Sequence, residues 1–244
     1  MPGIRTAPGR RAPRRILVID VGGTHVKFRV AGRGAIHKFS SGPKLGPERM
    51  TRKVLKRARG LAFDAVSIGY PGVVLHGRIA AEPHNLAAGW VGFDFAAAFG
   101  KPVRIVNDAA MQAIGSYRGG RMLFLGLGTG LGATLIIDGV VEPTEIGHMP
   151  YRHGRTFEDY VGERGRRRLG AARWRRAVAD VIAQLKLALE ADYVVVGGGN
   201  AARLDRLPPG VRRGDNRNAF AGGERIWQQR GASLRLPLGS RSRA

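Results

Sequence analysis

A chain of 244 residues, 43% of them apolar, is long enough to bury a sizeable core as one domain or two small ones. It has no cysteine, which excludes disulfides, thiol catalysis and cysteine-ligated metal sites; no apolar run approaches the ~20 residues that span a bilayer, so a cytoplasmic protein is expected. The 41 Lys and Arg against 18 Asp and Glu, net +23, favour polyanionic partners, although the preference for Arg over Lys leaves composition bias open as its source.

Residues 1–15 carry five arginines and three prolines and read as a disordered basic tail. Ile16–Asp20 is then a short apolar strand, Gly22-Gly23-Thr24 a tight turn and His25–Val30 a second strand, with Gly32-Arg33-Gly34 turning into a third. A helix is predicted over about Pro47–Arg59, a strand over Ala65–Gly69, then loop features at Gly69-Tyr70-Pro71-Gly72 and Asn85. Strand Val103–Val106 leads through Asn107-Asp108 into a helix over about Ala109–Tyr117. The opening pattern recurs with strand Met122–Leu125, the turn Gly126–Gly130, strand Leu131–Ile137 and an Asp138-Gly139 hairpin signal into Val140–Val141. Glu145-Ile146-Gly147-His148 lies in the next loop. A helix over about Ala172–Leu189 precedes strand Tyr193–Val196, the turn Gly197-Gly198-Gly199 and a helix-like segment; residues 229–244 read as a second tail.

Aligned without gaps, VIDVGGTHVKFRVAG falls on FLGLGTGLGATLIID. The repeat implies a duplicated α/β fold with a phosphate-cradling hairpin in each half; a single α/β domain with two unrelated glycine hairpins is the alternative. Glycine turns let backbone N–H groups approach phosphate oxygens, and Thr24 and Thr129 add hydroxyl donors. A glycine turn after a strand, as at 197–199, also suits nucleotide phosphates. Asn107-Asp108 stands where either residue could serve as a helix cap, and equally where a carboxylate could act as general base toward a hydroxyl; the residues alone leave both open. Glu145 and His148 offer an acceptor and a two-faced imidazole to a polyhydroxylated ligand.

Taken together these segments resemble the ROK family of repressors and sugar kinases, within the hexokinase, heat-shock-protein and actin superfamily, and most closely its polyphosphate glucokinase branch. DVGGTHVK (20–27) looks like the first phosphate motif, GLGTGLG (126–132) the second, VNDA (106–109) the connecting motif, EIGH (145–148) the sugar-binding ExGH and VVGGGN (195–200) the adenosine-side glycine motif. The resemblance implies a duplicated actin-like (ribonuclease H-like) two-lobe sugar kinase fold. Its small lobe would span 16–108, with a helix over about 218–228 returning to it, and its large lobe 109–217.

By the same resemblance Asp108 would be general base on a sugar 6-hydroxyl. Asn107, Glu145 and His148 would hold sugar hydroxyls beside Asn85 and Gly72, with Glu158 as the last sugar-contacting glutamate. Asp20 would orient a Mg²⁺ shell without direct metal ligands from the protein. Gly22, Gly23, Thr24, Lys27, Gly128, Thr129 and Gly130 would line the transferring phosphates, and Gly197, Gly198 and Gly199 the nucleotide. The implied reaction is phosphoryl transfer from polyphosphate, ATP or both to glucose or a related hexose. No zinc is expected, because the cysteine-rich motif that many members carry after ExGH is missing.

Alternatives are an ATP-only kinase for another hexose and a non-catalytic, sugar-responsive or polyanion-binding regulator. Against the regulator, only about fifteen residues precede the first strand, so no N-terminal helix-turn-helix is expected. The expected partners are a hexose and a polyanionic phosphoryl donor, with no membrane and no specific nucleic acid. Whether the chain forms a homodimer is left open.

Overall fold

The computed structural model describes residues 15–228 and Leu236; the expected tails lie, apart from Arg15 and Leu236, outside the described residues. The first half runs through β1 (Ile16–Val21), β2 (His25–Val30), β3 (Arg33–Ser40), α1 (Pro47–Arg57), β4 (Ala65–Tyr70), a small hairpin of β5 (Val74–Leu75) and β6 (Arg78–Ile79), α2 (Phe95–Phe99) and β7 (Val103–Asn107). The second runs through α3 (Asp108–Ser116), β8 (Arg121–Leu127), β9 (Leu131–Ile137), β10 (Val140–Thr144), α4 (Phe157–Val161), α5 (Glu163–Ala188), β11 (Tyr193–Gly197), β12 (Val211–Arg213) and α6 (Asn218–Arg225).

Each half builds a five-stranded sheet of the same topology, β3-β2-β1-β4-β7 and β10-β9-β8-β11-β12. In each, an antiparallel meander supplies three strands and two parallel strands complete the sheet. The central strands β1 and β4 are buried throughout, which is why ILVIDV and AVSIGY read as nearly unbroken apolar runs. Strand β2 alternates half-buried and buried positions, as HVKFRV does in sequence.

The repeat is therefore structural, but the gapless alignment slips. Val21 faces Val26 across the first hairpin, whereas Leu127 faces Leu131 across the second. The first turn is one residue longer, so the match holds up to the turn and is displaced by one residue after it.

Three apolar clusters follow from this arrangement. One packs α1 and α2 on the first sheet, and a second packs α4 and α5 on the other sheet around Trp174, Val178 and Ile182. The third joins the sheets: Ile16, Val18 and Val106 from the first meet Met122, Phe124 and Ile136 from the second across α3 and α6. Helices α3 and α6 cross so closely that a methyl at Gly115 would collide with the Asn218 carbonyl, and one at Gly222 with the Met111 carbonyl. Ser67 Oγ donates to the Gly223 carbonyl (2.6 Å), and Arg225 Nη1 donates to the Ile114 (2.8 Å) and Tyr117 (3.2 Å) carbonyls left open at the end of α3.

Other segments depart from the sequence reading. The helix expected over 172–189 is present, running from just past Gly170 to Ala188, but a helical stretch from Glu163 that the sequence reading lacked precedes it, set off at Gly170 (φ 73°, ψ 165°), a conformation glycine adopts without a side-chain penalty. After Gly197-Gly198-Gly199 the chain makes only a single 3₁₀ turn, Ala201–Arg203, not a helix. The unpredicted α2 is five residues long, held by Asp94, which accepts from the Ala97 N–H (2.9 Å), and ended by left-handed Gly100.

Because the α3–α6 contact is backbone against backbone, Gly222→Ala is expected to destabilise the protein by about 1–3 kcal/mol, the usual cost of overpacking a tight contact. Thermal unfolding checks this; an unchanged midpoint would mean that the helices can separate without loss.

Candidate active site

The site forms where the C-terminal ends of β1, β4 and β7 meet the second hairpin. In the first turn the Gly22 N–H donates to the His25 carbonyl (3.0 Å), while Ser41 Oγ donates to the Gly22 carbonyl (2.7 Å) and the Ser41 N–H to the Thr24 carbonyl (3.0 Å). The second turn is clamped from outside. The Glu163 N–H donates to the Gly128 (3.1 Å) and Thr129 (3.2 Å) carbonyls, and Asn200 Nδ2 to the Gly128 carbonyl (3.2 Å). Gly198 (φ +81°) lies hard against the Leu127 carbonyl, so the 197–199 turn stacks on the 128–130 turn. The hairpins also meet each other: a Cβ built on Gly23 would stand 3.9 Å from both Thr129 Oγ1 and Asn85 Cβ. Thr24 and Thr129 are exposed at the turn tips.

The structure settles how Asn107 and Asp108 divide their work. Asn107 is the helix cap: its Oδ1 accepts from the Ala110 N–H (3.1 Å), while its Nδ2 donates to the Gly72 carbonyl (3.1 Å). That leaves Asn107 one amide proton for any ligand. Asp108 is the first helical residue and is not needed as cap; its Oδ1 accepts from the Ala109 N–H (2.8 Å), and its own N–H also draws on the carboxylate. Its Cα packs 3.4 Å from where a Gly69 Cβ would stand.

Desolvation first, then the nearby Asp20 and Glu145 carboxylates, push Asp108 up to about 7 against the opposing pull of the Ala109 N–H. Asp20 is buried and pushed up to about 6 by desolvation, partly offset by Lys27, its cross-strand partner. No hydrogen bond reaches the Asp20 carboxylate from the described residues, and none of them form a cluster of three His, Cys, Asp or Glu suited to a metal.

Glu145 and His148 lie 3.4 Å apart on a short 3₁₀ turn, both exposed. Gly147 between them packs against the Leu131 carbonyl, tying that turn to the second hairpin. Asn85 is exposed on a loop that Glu82 fixes by accepting from the Trp90 and Val91 N–H groups (3.1 Å each). Glu158, read from sequence as a sugar contact, projects from α4 over Gly130 and accepts from the Leu131 N–H (3.1 Å), so it stands at the second glycine hairpin. Glu163, Asn200 and the Leu131 N–H were not singled out in the sequence; their part in shaping the turn follows from chain crossings that no local pattern encodes.

Two like sheets, a glycine hairpin in each and a carboxylate opening the helix between them define an actin-like, two-lobe kinase fold. The chain belongs to the ROK family, which matches residues 16–167. It is 25% identical over 236 residues to the polyphosphate glucokinase of Mycobacterium tuberculosis, covering 85% of this chain and 86% of that protein. It is also 32% identical over 157 residues to the kanosamine kinase of Amycolatopsis mediterranei, covering 54% and 51%. Among solved structures it superposes on the inorganic polyphosphate/ATP-glucomannokinase of Arthrobacter sp. strain KM (TM-score 0.76, 24% identity, 89% of this chain and 99% of that one). The ROK glucokinase of Streptomyces griseus, solved with glucose and AMPPNP, shares the fold at TM-score 0.70 and 18% identity, over 88% and 100%. The second glycine turn, between β8 and β9, meets the first at Thr129, and the third packs against the end of β8 at Leu127.

A carboxyl group whose pKa rises from about 3.8 unfolded to about 7 folded binds its proton more tightly in the folded state. Stability is therefore lost as pH rises from about 4 to about 7, and the full penalty remains above that. Asp108→Asn removes the charge and keeps an acceptor for the Ala109 N–H, so its melting temperature is expected to exceed wild type at pH 8 and to converge with it near pH 4. Equal melting temperatures at pH 8 would show that Asp108 ionises without cost.

Proposed function

We propose that this protein is a sugar kinase that moves a phosphoryl group from polyphosphate, ATP or both to the 6-hydroxyl of glucose or a related hexose. The observation that carries the reading is Asp108. It is relieved of capping by Asn107, poised near 7, and set between the two glycine hairpins and the Glu145–His148 turn. A base with that affinity for protons can take one from a hydroxyl as it attacks, and return it to solvent afterwards. Asn107, Glu145, His148, Asn85 and Glu158 are the groups proposed to orient the sugar, with Gly72 setting the Asn107 amide. Backbone N–H groups of the two turns, with Thr24, Thr129 and Lys27, are proposed to receive the phosphates, and Gly197–Gly199 the nucleotide when ATP is the donor.

The buried Asp20 carboxylate, without a hydrogen-bond donor among the described residues, suits a hydrated Mg²⁺ held mainly by donor phosphates and water. Such an ion would neutralise phosphate charge during transfer. Its proximity to Asp108 would also lower the proton affinity of that base.

The polyphosphate reading draws support from the similarity to polyphosphate glucokinase and from the start of α5, where Arg164, in no ion pair among the described residues, and Arg167, paired with Glu163 but exposed, follow on the Glu163 N–H that grips the second turn. A linear polyanion can touch arginines beyond the reacting phosphate, whereas ATP ends within the cleft. The test is a matrix of glucose, mannose and kanosamine against ATP and polyphosphate, scored by sugar phosphate formed. Transfer to no hexose from either donor would end the reading.

Asp108→Asn is expected to lower kcat by at least ~10²-fold with little change in sugar affinity, the usual worth of general-base catalysis. For wild type, kcat/KM is expected to rise with pH to a plateau above about 7 in the free enzyme, because the ionised carboxylate is the active form. Near-normal turnover of the folded variant would remove Asp108 from the chemistry.

Screening supplies a second expectation. With a Debye length of ~10 Å at 0.1 M salt, exposed arginines lose most of their pull as ionic strength rises, while contacts at the turns lose less. KM for polyphosphate is expected to climb steeply with salt and that for ATP modestly, and Arg164→Gln with Arg167→Gln is expected to weaken polyphosphate use selectively. Parallel salt responses for the two donors would sink the arginine track.

A further inference from the structure

The segment that carries Glu145 and His148 does not continue directly into α4. It first makes a small closed loop, in which Pro150 bridges Thr156, the Tyr151 N–H donates to the Arg155 carbonyl (2.8 Å) and the Phe157 N–H to the Met149 carbonyl (3.1 Å). At the base of that loop Tyr151 turns its ring onto α4, 5.2 Å from the Phe157 ring and edge-on to Tyr160 at 4.8 Å. Its hydroxyl donates to Asp180 Oδ2 on α5. The same oxygen accepts from Arg152 Nη2 (3.0 Å) and Gln184 Nε2 (2.9 Å), and the Arg152 guanidinium lies over the Tyr151 ring at 4.8 Å.

Three donors from two elements thus converge on one carboxylate oxygen. Hydrogen bonds to an ionised acceptor are the stronger kind. Burial, then the Asp180 carboxylate, push the Tyr151 phenol up to about 12, so it remains a donor throughout the neutral range. Asp180 in turn is fixed by the firmest part of the second half, since Val178, Val181 and Ile182 beside it are buried against the sheet. Nothing in the reaction proposed above uses Asp180 or Tyr151, and neither is among the residues that meet at the glycine turns.

We infer that Tyr151 and Asp180 form a latch that positions the sugar-binding segment, holding the Glu145–His148 turn and the Glu158-bearing α4 at a fixed distance from the second hairpin. The inference rests on the kinase reading for the identity of the ligand, but the latch itself is a matter of loop order. Asp180 is a positioning residue; it lies on α5 and acts through Tyr151 and α4.

The conservative variants Tyr151→Phe and Asp180→Asn keep side-chain volume and remove, respectively, the hydroxyl donor and the carboxylate charge. In both, amide hydrogen exchange over 145–158 is expected to accelerate at least ~10-fold, while residues 174–185 of α5 keep their protection. Hexose KM is expected to rise about 10-fold with kcat within about threefold and donor KM unchanged, because displacement of positioning groups acts first on the ligand they hold. Unchanged exchange over 145–158 in both variants overturns the latch, whatever the activity. Faster exchange with an unchanged hexose KM overturns its positioning role. If Asp180→Asn does not fold, Tyr151→Phe, which loses a single hydroxyl, carries both readouts. Should wild type phosphorylate no hexose, the kinase reading fails by itself and the exchange comparison still decides the latch.

Discussion

The close crossing of α3 and α6 is the constraint from which the remaining geometry follows. Two sheets built by separate halves of the chain have no strand in common, so their relative placement rests on the helices between them. Glycines at 115 and 222 let the two backbones approach without side chains between, and Gly223 does the same against Val18 of β1. Helix α3 starts with Asp108 at one end of this contact and is closed at the other by Arg225 from α6. The position of the carboxylate is thereby referred to both sheets at once. A site made of one hairpin from each half requires that kind of reference, since an error in either would part Gly23 from Thr129.

The carboxylates show what the arrangement costs. Asp20 sits close enough to raise the proton affinity of Asp108, and desolvation raises both, Asp20 buried and Asp108 partly so. Neither is paired with an arginine among the described residues, although the chain has a large excess of them. A structure selected for stability alone would neutralise or delete one of the two; their retention fits groups that await a cationic or protic ligand. A half-buried carboxylate elsewhere behaves oppositely: Glu163, gripped by Arg166 and Arg167, is held well below the usual range.

Much of this was legible in the sequence because it depends on local chemistry. The buried strands announced themselves as apolar runs, the turns as glycine clusters and the duplication as a repeated pattern. What could not be read was anything decided by distant chain crossings. The one-residue difference between hairpins is invisible until the strands are paired, because both turns are rich in glycine and either length is allowed. The capping ambiguity at Asn107 and Asp108 needed the Ala110 N–H and the Gly72 carbonyl to resolve it. Glu158 matched a motif, but its hydrogen bond to Leu131 spans a loop whose path the motif does not specify. The helical stretch 163–169 before Gly170 was also hidden, since its run of arginines carries no apolar periodicity.

The charge excess, ambiguous in composition, becomes divisible in three dimensions. On α5, Arg166 is committed to Glu163, Arg168 to the Asp159 carbonyl and the Tyr160 ring, and Arg175 to Asp205. Arg164, Arg173 and Arg176 join no ion pair among the described residues. A second group, Arg52 and Lys56 on α1 with Arg59 just beyond it, lines an open groove together with Glu48 and Phe93 and is likewise without an ion pair among the described residues. Cations outside any ion pair among the described residues also stand elsewhere, among them Lys38, Arg78, Arg118 and Arg206, so clustering alone assigns them no partner. Only the α5 group continues from the phosphate hairpin, since Glu163 holds that turn and Arg164 follows it directly, whereas Arg173 and Arg176 lie beyond the Gly170 break. Within a Debye length of ~10 Å the first turn of α5 acts on charge held at the hairpin, and the outer face of α1 belongs to a different region of the field. A single polyanion held at the hairpin would therefore engage only the first turn of α5, and the α1 cluster is left to a cause of its own.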